Sequence, residues 1–354
     1  MTAATDSNLE VCLETDPGKY RHLRFEVDGS IATVYIDIQE DQGMRPGYAL
    51  KLNSYDLGVD IELADVVQRL RFEHPQVAAV MITSSQAVVF SSGANIFMLG
   101  ASTHAFKVNF CKYTNETLLY IEDATENSGQ TWIAGLNGIA SGGGYELPLA
   151  CAEIYLIDDR KSAVALPEIP YLGVLPGTGG LTRVVDKRKV RPDRADVFCT
   201  LAEGIKGKRA VEWGLVDGIF PSSRFDEEMD NRLRQIAGDG HPQRKGVTLD
   251  GLNPEVREDG VSYRHLQLKL DKTQRVATIE LTVPDELPDL PKTPSELGAD
   301  WFALRAFREL DDAMLRLRFN PAESGFIRLS TVGPLGLMLK TDDLIHTHRI
   351  DGFI

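Results

Sequence analysis

Three stretches of this chain carry runs of small residues, and two of them set an acidic side chain beside the run. Thr131 to Ala150, TWIAGLNGIASGGGYELPLA, reads as a strand, a triple glycine at Gly142 to Gly144, and a helix carrying Glu146. Ala163 to Arg183, AVALPEIPYLGVLPGTGGLTR, places Glu168 directly after Pro167 and ends on a second glycine-rich turn, Gly177 to Gly180. Phe90 to Leu99, FSSGANIFML, is a small-residue turn that follows a strand and leads into a helix. Two glutamates sharing a dry pocket raise each other's pKa, so that one can hold a proton at neutral pH while the other accepts one. Glycine at a helix start lets a ligand oxygen approach bare N–H groups at the positive end of the helix dipole. Taken singly, each feature has a plainer explanation. Most glutamates are solvated or cap helices, and a triple glycine can simply let helices pack closely.

The three stretches, in this order and nearly complete, resemble the hallmark segments of the crotonase (enoyl-CoA hydratase/isomerase) superfamily: F-x-x-G-A-D-I, N-G-x-x-x-G-G-G-x-E-L and P-E-x-x-x-G-x-x-P-G-x-G-G. The resemblance runs from about Tyr20 to Ala237 and includes the GLVD of Gly214 to Asp217. It implies an α/β fold, a crotonase spiral of ββα units, acting on an acyl-coenzyme A thioester. By the same resemblance the N–H groups of Ala94 and Gly143 form an oxyanion hole, and Glu146 and Glu168 carry acid and base work on a water. The letters do not say which is the base. The loop from Phe90 to Ile96 should lie near the adenine, which makes Ser91, Ser92 and Ile96 the candidates for binding coenzyme A. No cofactor is implied beyond the coenzyme A of the substrate, and self-association as a homo-oligomer is expected. Asn95 departs from the family's usual Asp. The insertion-like stretch Gly100 to Gln130, if helical, sets Cys111, Thr114, Asn115 and Leu118 on one face. Cys111 then either lines the acyl pocket as a proton donor or water-orienting group, or is a buried structural thiol. Within the superfamily the whole chain resembles a ring-opening branch that adds water to 2,3-epoxybenzoyl-CoA, giving 3,4-dehydroadipyl-CoA semialdehyde and formate. A plain enoyl-CoA hydratase and a non-catalytic crotonase-like scaffold are the alternatives.

Positioning such groups requires a sheet and helices, and the text supplies them. Arg24 to Ile38 alternates about an Asp28-Gly29 turn as a hairpin, Tyr55 to Phe72 has helical spacing, and Val77 to Thr83 is a short buried strand. The order returns late in the chain. Tyr263-Arg264-His265-Leu266 repeats Tyr20-Arg21-His22-Leu23, followed by a strand over Val276 to Val283 and a helix over Ala303 to Leu315. Leu317-Arg318-Phe319 and Pro321 then echo Leu70-Arg71-Phe72 and Pro75. These matches predict a catalytic domain over 1–237, a turn-rich linker over 238–262, and a partial second crotonase-like repeat over 263–354. Since that repeat lacks a glycine-rich middle, either the copy is degenerate or the chain is a fragment, and the fragment is favoured because a half sheet would leave strand edges unpaired.

Over 354 residues the formal charge is −14, which disfavours nucleic acid as a partner. Four scattered cysteines without C-x-x-C pairing, and an acidic Met1 to Asp16 unlike a signal peptide, predict reduced thiols and a cytoplasmic location. No stretch approaches the about 20 apolar residues of a membrane span, so no membrane partner is expected. Gly177 to Gly180 is neither a dinucleotide nor a P-loop signature. His346 and His348 stand without a supporting Cys or His cluster, so no metal is predicted.

Overall fold

The computed structural model describes residues 10–286, 288, 291, 294–320, 324–349 and 353. Most of the acidic start, residues 1–9, and Pro321 lie outside the described residues. The chain divides into two compact units. Asp16–Arg71 and Pro75–Gln243 form one; Phe72–His74 and the described chain from Arg244, with residues 10–15, form the other.

In the first unit, Leu23–Asp28 and Ile31–Ile36 pair as an antiparallel hairpin. The second strand buries Ala32, Val34 and Ile36 and leaves the alternate residues half-buried, the period of two that one packed face demands. Four parallel strands follow across the sheet: Ala79–Ser84, Thr131–Leu136, Glu153–Asp158 and Gly218–Pro221. The central two are apolar along almost their whole length because both faces are covered. After each of the first three of these, the chain turns into a short strand of a second sheet: Val88–Ser91, Gly138–Ser141 and Ala163–Ala165, closed by Ile205–Lys206. Helices complete each turn, so strand, strand and helix recur as the ββα spiral that the resemblance implies. Phe225–Ala237 covers one face with Phe225, Met229, Leu233 and Ala237, spaced four apart and packed on Ala79 and Ile133. Each large side chain so buried contributes roughly 1.5–3 kcal/mol.

The helix Leu57–Phe72 is buried nearly all round, so its polar side chains need partners. Glu62 accepts from the backbone N–H groups of Arg21, His22 and Leu23, fixing the start of the first strand. Asp65 accepts from the Tyr20 hydroxyl and from Arg69 Nε.

The second unit is a five-stranded sheet. Glu255–Arg257, Gly260–Ser262, Leu266–Asp271 and Val276–Thr282 are antiparallel, and Phe326–Val332 pairs parallel to the last. The helix Phe302–Phe319 sets Ala313 against Val261, Leu266, Leu268, Ala277 and Ile279. The polar frame of the first unit returns here: Tyr263 donates to Asp312 at 2.6 Å, His265 N donates to Glu309 at 2.8 Å, and Arg316 pairs with Asp312. The repeated letters thus repeat a hydrogen-bonded scaffold as well as an order of elements. Two of the unit's strands, Glu255–Arg257 and Gly260–Ser262, fall within residues 238–262.

Candidate active site

Two chain segments meet at Gly143. The two-residue strand Gly93–Ala94 runs parallel to Ser54–Tyr55, and Asn95 N donates to Tyr55 O at 2.9 Å. Backbone groups alternate sides along a strand, so the neighbouring Ala94 N–H is directed away from Ser54–Tyr55. Gly93 has φ +82, and a Cβ on it would lie 2.7 Å from Gly143 N, so no other residue lets the turn come this close. Gly143 opens the helix Gly143–Ala150, where Tyr145 N and Glu146 N already donate to Gly142 O, so the N–H groups left for a ligand at the helix start are those of Gly143 and Gly144. A Cβ on Gly143 itself would lie 2.0 Å from the Tyr55 hydroxyl.

Asn95 explains its own departure from Asp. Its Oδ1 caps the helix Ile96–Ala101, accepting from Phe97 N and Met98 N, while its Nδ2 donates to Ala49 O and Ser54 Oγ. A carboxylate could not supply the two donated bonds.

Glu146 sits in the first turn of Gly143–Ala150 and is 3% exposed. One carboxylate oxygen accepts from Thr178 N at 3.1 Å and Gly180 N at 2.8 Å, and the other accepts from the Thr178 hydroxyl. Burial raises its pKa while these donors and Arg183 pull the other way, burial prevailing. Arg183 holds the turn that supplies the donors: it donates to Thr178 O and Asn115, and its fork pairs with Glu122 at 2.9 Å. Asn115 and Glu122 belong to the helix His104–Asn127, so the stretch Gly100 to Gln130 forms the wall that steadies Glu146.

Glu168 begins the short helix Glu168–Leu172. Its pKa is pushed up to about 7 by burial first and by the charge of Glu146 second. Its Oε1 lies 3.0 Å from where a Cβ on Gly142 would be, and its Oε2 is buried without a partner among the described residues. Cys111 Sγ is 3.5 Å from where a Cβ on Gly177 would be, against the same turn that holds Glu146. Burial, then Glu146, pushes the thiol up to about 11, so it stays protonated and is a donor rather than a nucleophile near neutral pH.

The structure therefore gathers Ala94, Gly143, Glu146, Glu168 and Cys111 around one helix start. It does not gather the three coenzyme A candidates in the same way. Ser91 is buried, and its hydroxyl donates to Asn53 O at 2.8 Å and accepts from Gly93 N at 3.1 Å, so it serves the turn. Ser92 is half-buried with its N–H on Leu52 O, and Ile96 is exposed beside Phe97. Sequence reasoning missed Thr178, Arg183, Tyr55 and Asp60. The first had a signal, since a glutamate deep in apolar text needs donors and GTGG offers them; Tyr55 and Asp60 had none.

Residues 49–278 match the enoyl-CoA hydratase/isomerase family, and the chain belongs to it. An enoyl-CoA hydratase from Geobacillus kaustophilus HTA426 superposes with TM-score 0.54 at 33% identity, over 62% of this chain and 75% of that one. A protein from Thermobifida fusca YX, assigned as an enoyl-CoA hydratase and solved in complex with CoA, gives 0.50 at 25%, over 61% and 78%. Over 345 residues, 96% of its length, the chain is 50% identical to the benzoyl-CoA-dihydrodiol lyase of Aromatoleum evansii, and it spans 62% of that relative. No helix among the described residues is long and apolar enough to cross a membrane.

Proposed function

We propose that this chain carries the active site of a benzoyl-CoA-dihydrodiol lyase, opening 2,3-epoxybenzoyl-CoA with water to 3,4-dehydroadipyl-CoA semialdehyde and formate. The observation that carries the reading is the unequal pair of glutamates beside the free Gly143 amide, in a chain so similar to a lyase of that name. Glu146 is held by three donors, which suit its charged form, and it takes the proton of the attacking water. Glu168, with a pKa near 7 and an oxygen that no donor among the described residues engages, gives its proton to the departing ring oxygen. The N–H groups of Ala94 and Gly143 hold the thioester oxygen as charge develops on it, an interaction worth roughly 10²–10³ in rate per donor. Cys111, a neutral thiol facing the Gly177 to Gly180 turn, orients the water.

The same groups suffice to add water across an α,β double bond, and the 33% identical hydratase of Geobacillus kaustophilus favours that as the second reading. Mass-spectrometric product analysis separates the two. Formate from 2,3-epoxybenzoyl-CoA supports ring opening; a 3-hydroxyacyl-CoA from crotonyl-CoA, with the epoxide untouched, supports simple hydration.

A further inference from the structure

Tyr55 is a buried phenol that the steps above leave unused. The residue is 8% exposed, and its hydroxyl makes no hydrogen bond among the described residues. The hydroxyl is not among the polar atoms sealed off without a partner, so on a largely buried residue it is a phenol that a bound ligand can still reach. Three constraints fix where it stands. Its backbone pairs with Ala94 in the short ladder beside the Gly93 turn. Its hydroxyl occupies the space that a side chain at position 143 would need, beside the residue whose N–H is proposed above to hold the thioester oxygen. The acidic groups that act on it are Asp60, Glu146, Cys111 and Glu168, the last three being the acid–base set itself. Tyr55 also lines a small cavity of about 20 Å³ with Asp60, which accepts from Thr114, among largely apolar walls. Burial and these acidic neighbours hold the phenol well above its ordinary pKa, so it acts as a donor and never as a base.

We propose that Tyr55 is a further catalytic residue, whose hydroxyl donates a hydrogen bond to the oxygen carried by the acyl ring and so selects a ring-oxygenated thioester over a plain unsaturated one. The proposal rests on the ring-opening reading. The proton stays on Tyr55 throughout. As the water oxygen bonds to a ring carbon, the water proton passes to Glu146 and the ring C–O bond breaks. Its electron pair moves to the ring oxygen, where the Tyr55 O–H shares the charge until the Glu168 proton arrives.

The test is Tyr55→Phe in the full chain, assayed by formate release from 2,3-epoxybenzoyl-CoA alongside thermal unfolding. The expected result is a kcat lowered about 10²-fold, KM changed little, and Tm changed little, because the variant loses a hydroxyl that makes no hydrogen bond among the described residues. A residue that merely packs would show unchanged kcat, or a kcat loss that follows a falling Tm, and either overturns the proposal. Should Tyr55→Phe not fold, 3-fluorotyrosine at position 55 keeps the shape. Its kcat then changes at constant KM if the phenol donates, and an unchanged kcat overturns the proposal. Wild-type protein that releases no formate overturns the ring-opening reading and this inference with it, whereas formate release indifferent to position 55 overturns the inference alone.

Discussion

A single methyl group at position 143 is the smallest change that should disable the site. In Gly143→Ala the new Cβ meets the Tyr55 hydroxyl at 2.0 Å and its ring at 2.9 Å, so either the phenol or the helix start must move. We expect kcat to fall about 10²–10³-fold through a misplaced amide, read by steady-state kinetics with circular dichroism showing an intact fold. Glu168 gives a prediction in pH. Its folded pKa of about 7 lies above the roughly 4.3 of an unfolded glutamate. The folded state thus binds the proton more tightly, a stabilisation fully present below the unfolded value and lost as pH rises through about 7. Wild-type kcat should fall over the same upper range as the acid is lost. Relative to Glu168→Gln, the wild type should lose Tm between about pH 4 and 7 and run parallel above that range, and Tm curves that run parallel throughout would contradict the assignment. Both glutamates were legible as letters because each sits in its own motif. Tyr55 was not, because its role depends on a close approach to a glycine 88 positions away that no local spacing encodes.

At the scale of the element, the Gly177 to Gly180 turn acts as a clamp. Among the described residues it supplies every hydrogen bond to the Glu146 carboxylate, and Arg183 ties it to the helix His104–Asn127. Thr178→Val removes the one hydroxyl donor and leaves two N–H groups. Bonds to charged groups of this kind contribute about 1.5–3 kcal/mol, so urea unfolding should show a loss of that order. Since the lost donor favoured the charged form, Glu146 should ionise at higher pH and the acid limb of kcat should move up. The hairpin, the helix starting near Tyr55, and the strand–glycine–helix order were all legible, since each carries its own period and turn residues. The role of the long helix was not. Its face of Cys111, Thr114, Asn115 and Leu118 could be read from spacing, but its function as the anchor for Arg183 required the tertiary fold.

For the whole molecule, the repeated letters mark a repeated scaffold. Arg316 is about as buried as Arg69, Asp312 is more buried than Asp65, and each aspartate also takes a tyrosine hydroxyl. Breaking a buried pair on one side strands the other charge, at a cost of roughly 3–5 kcal/mol. Asp312→Ala should therefore lower the unfolding transition of the second unit, monitored by limited proteolysis around residues 263–319, while formate release stays a separate readout of the first. The helix Leu335–Thr347 was not legible, because it begins directly after Gly333-Pro334 in text that resembles no element of the first repeat. The account's central claim is tested most directly by a crystal structure with benzoyl-CoA bound. It predicts the thioester oxygen about 3 Å from both Ala94 N and Gly143 N, with the ring between Glu146 and Glu168 and one edge toward Tyr55. A thioester oxygen that contacts neither amide, or a ring bound away from the two carboxylates, would contradict it.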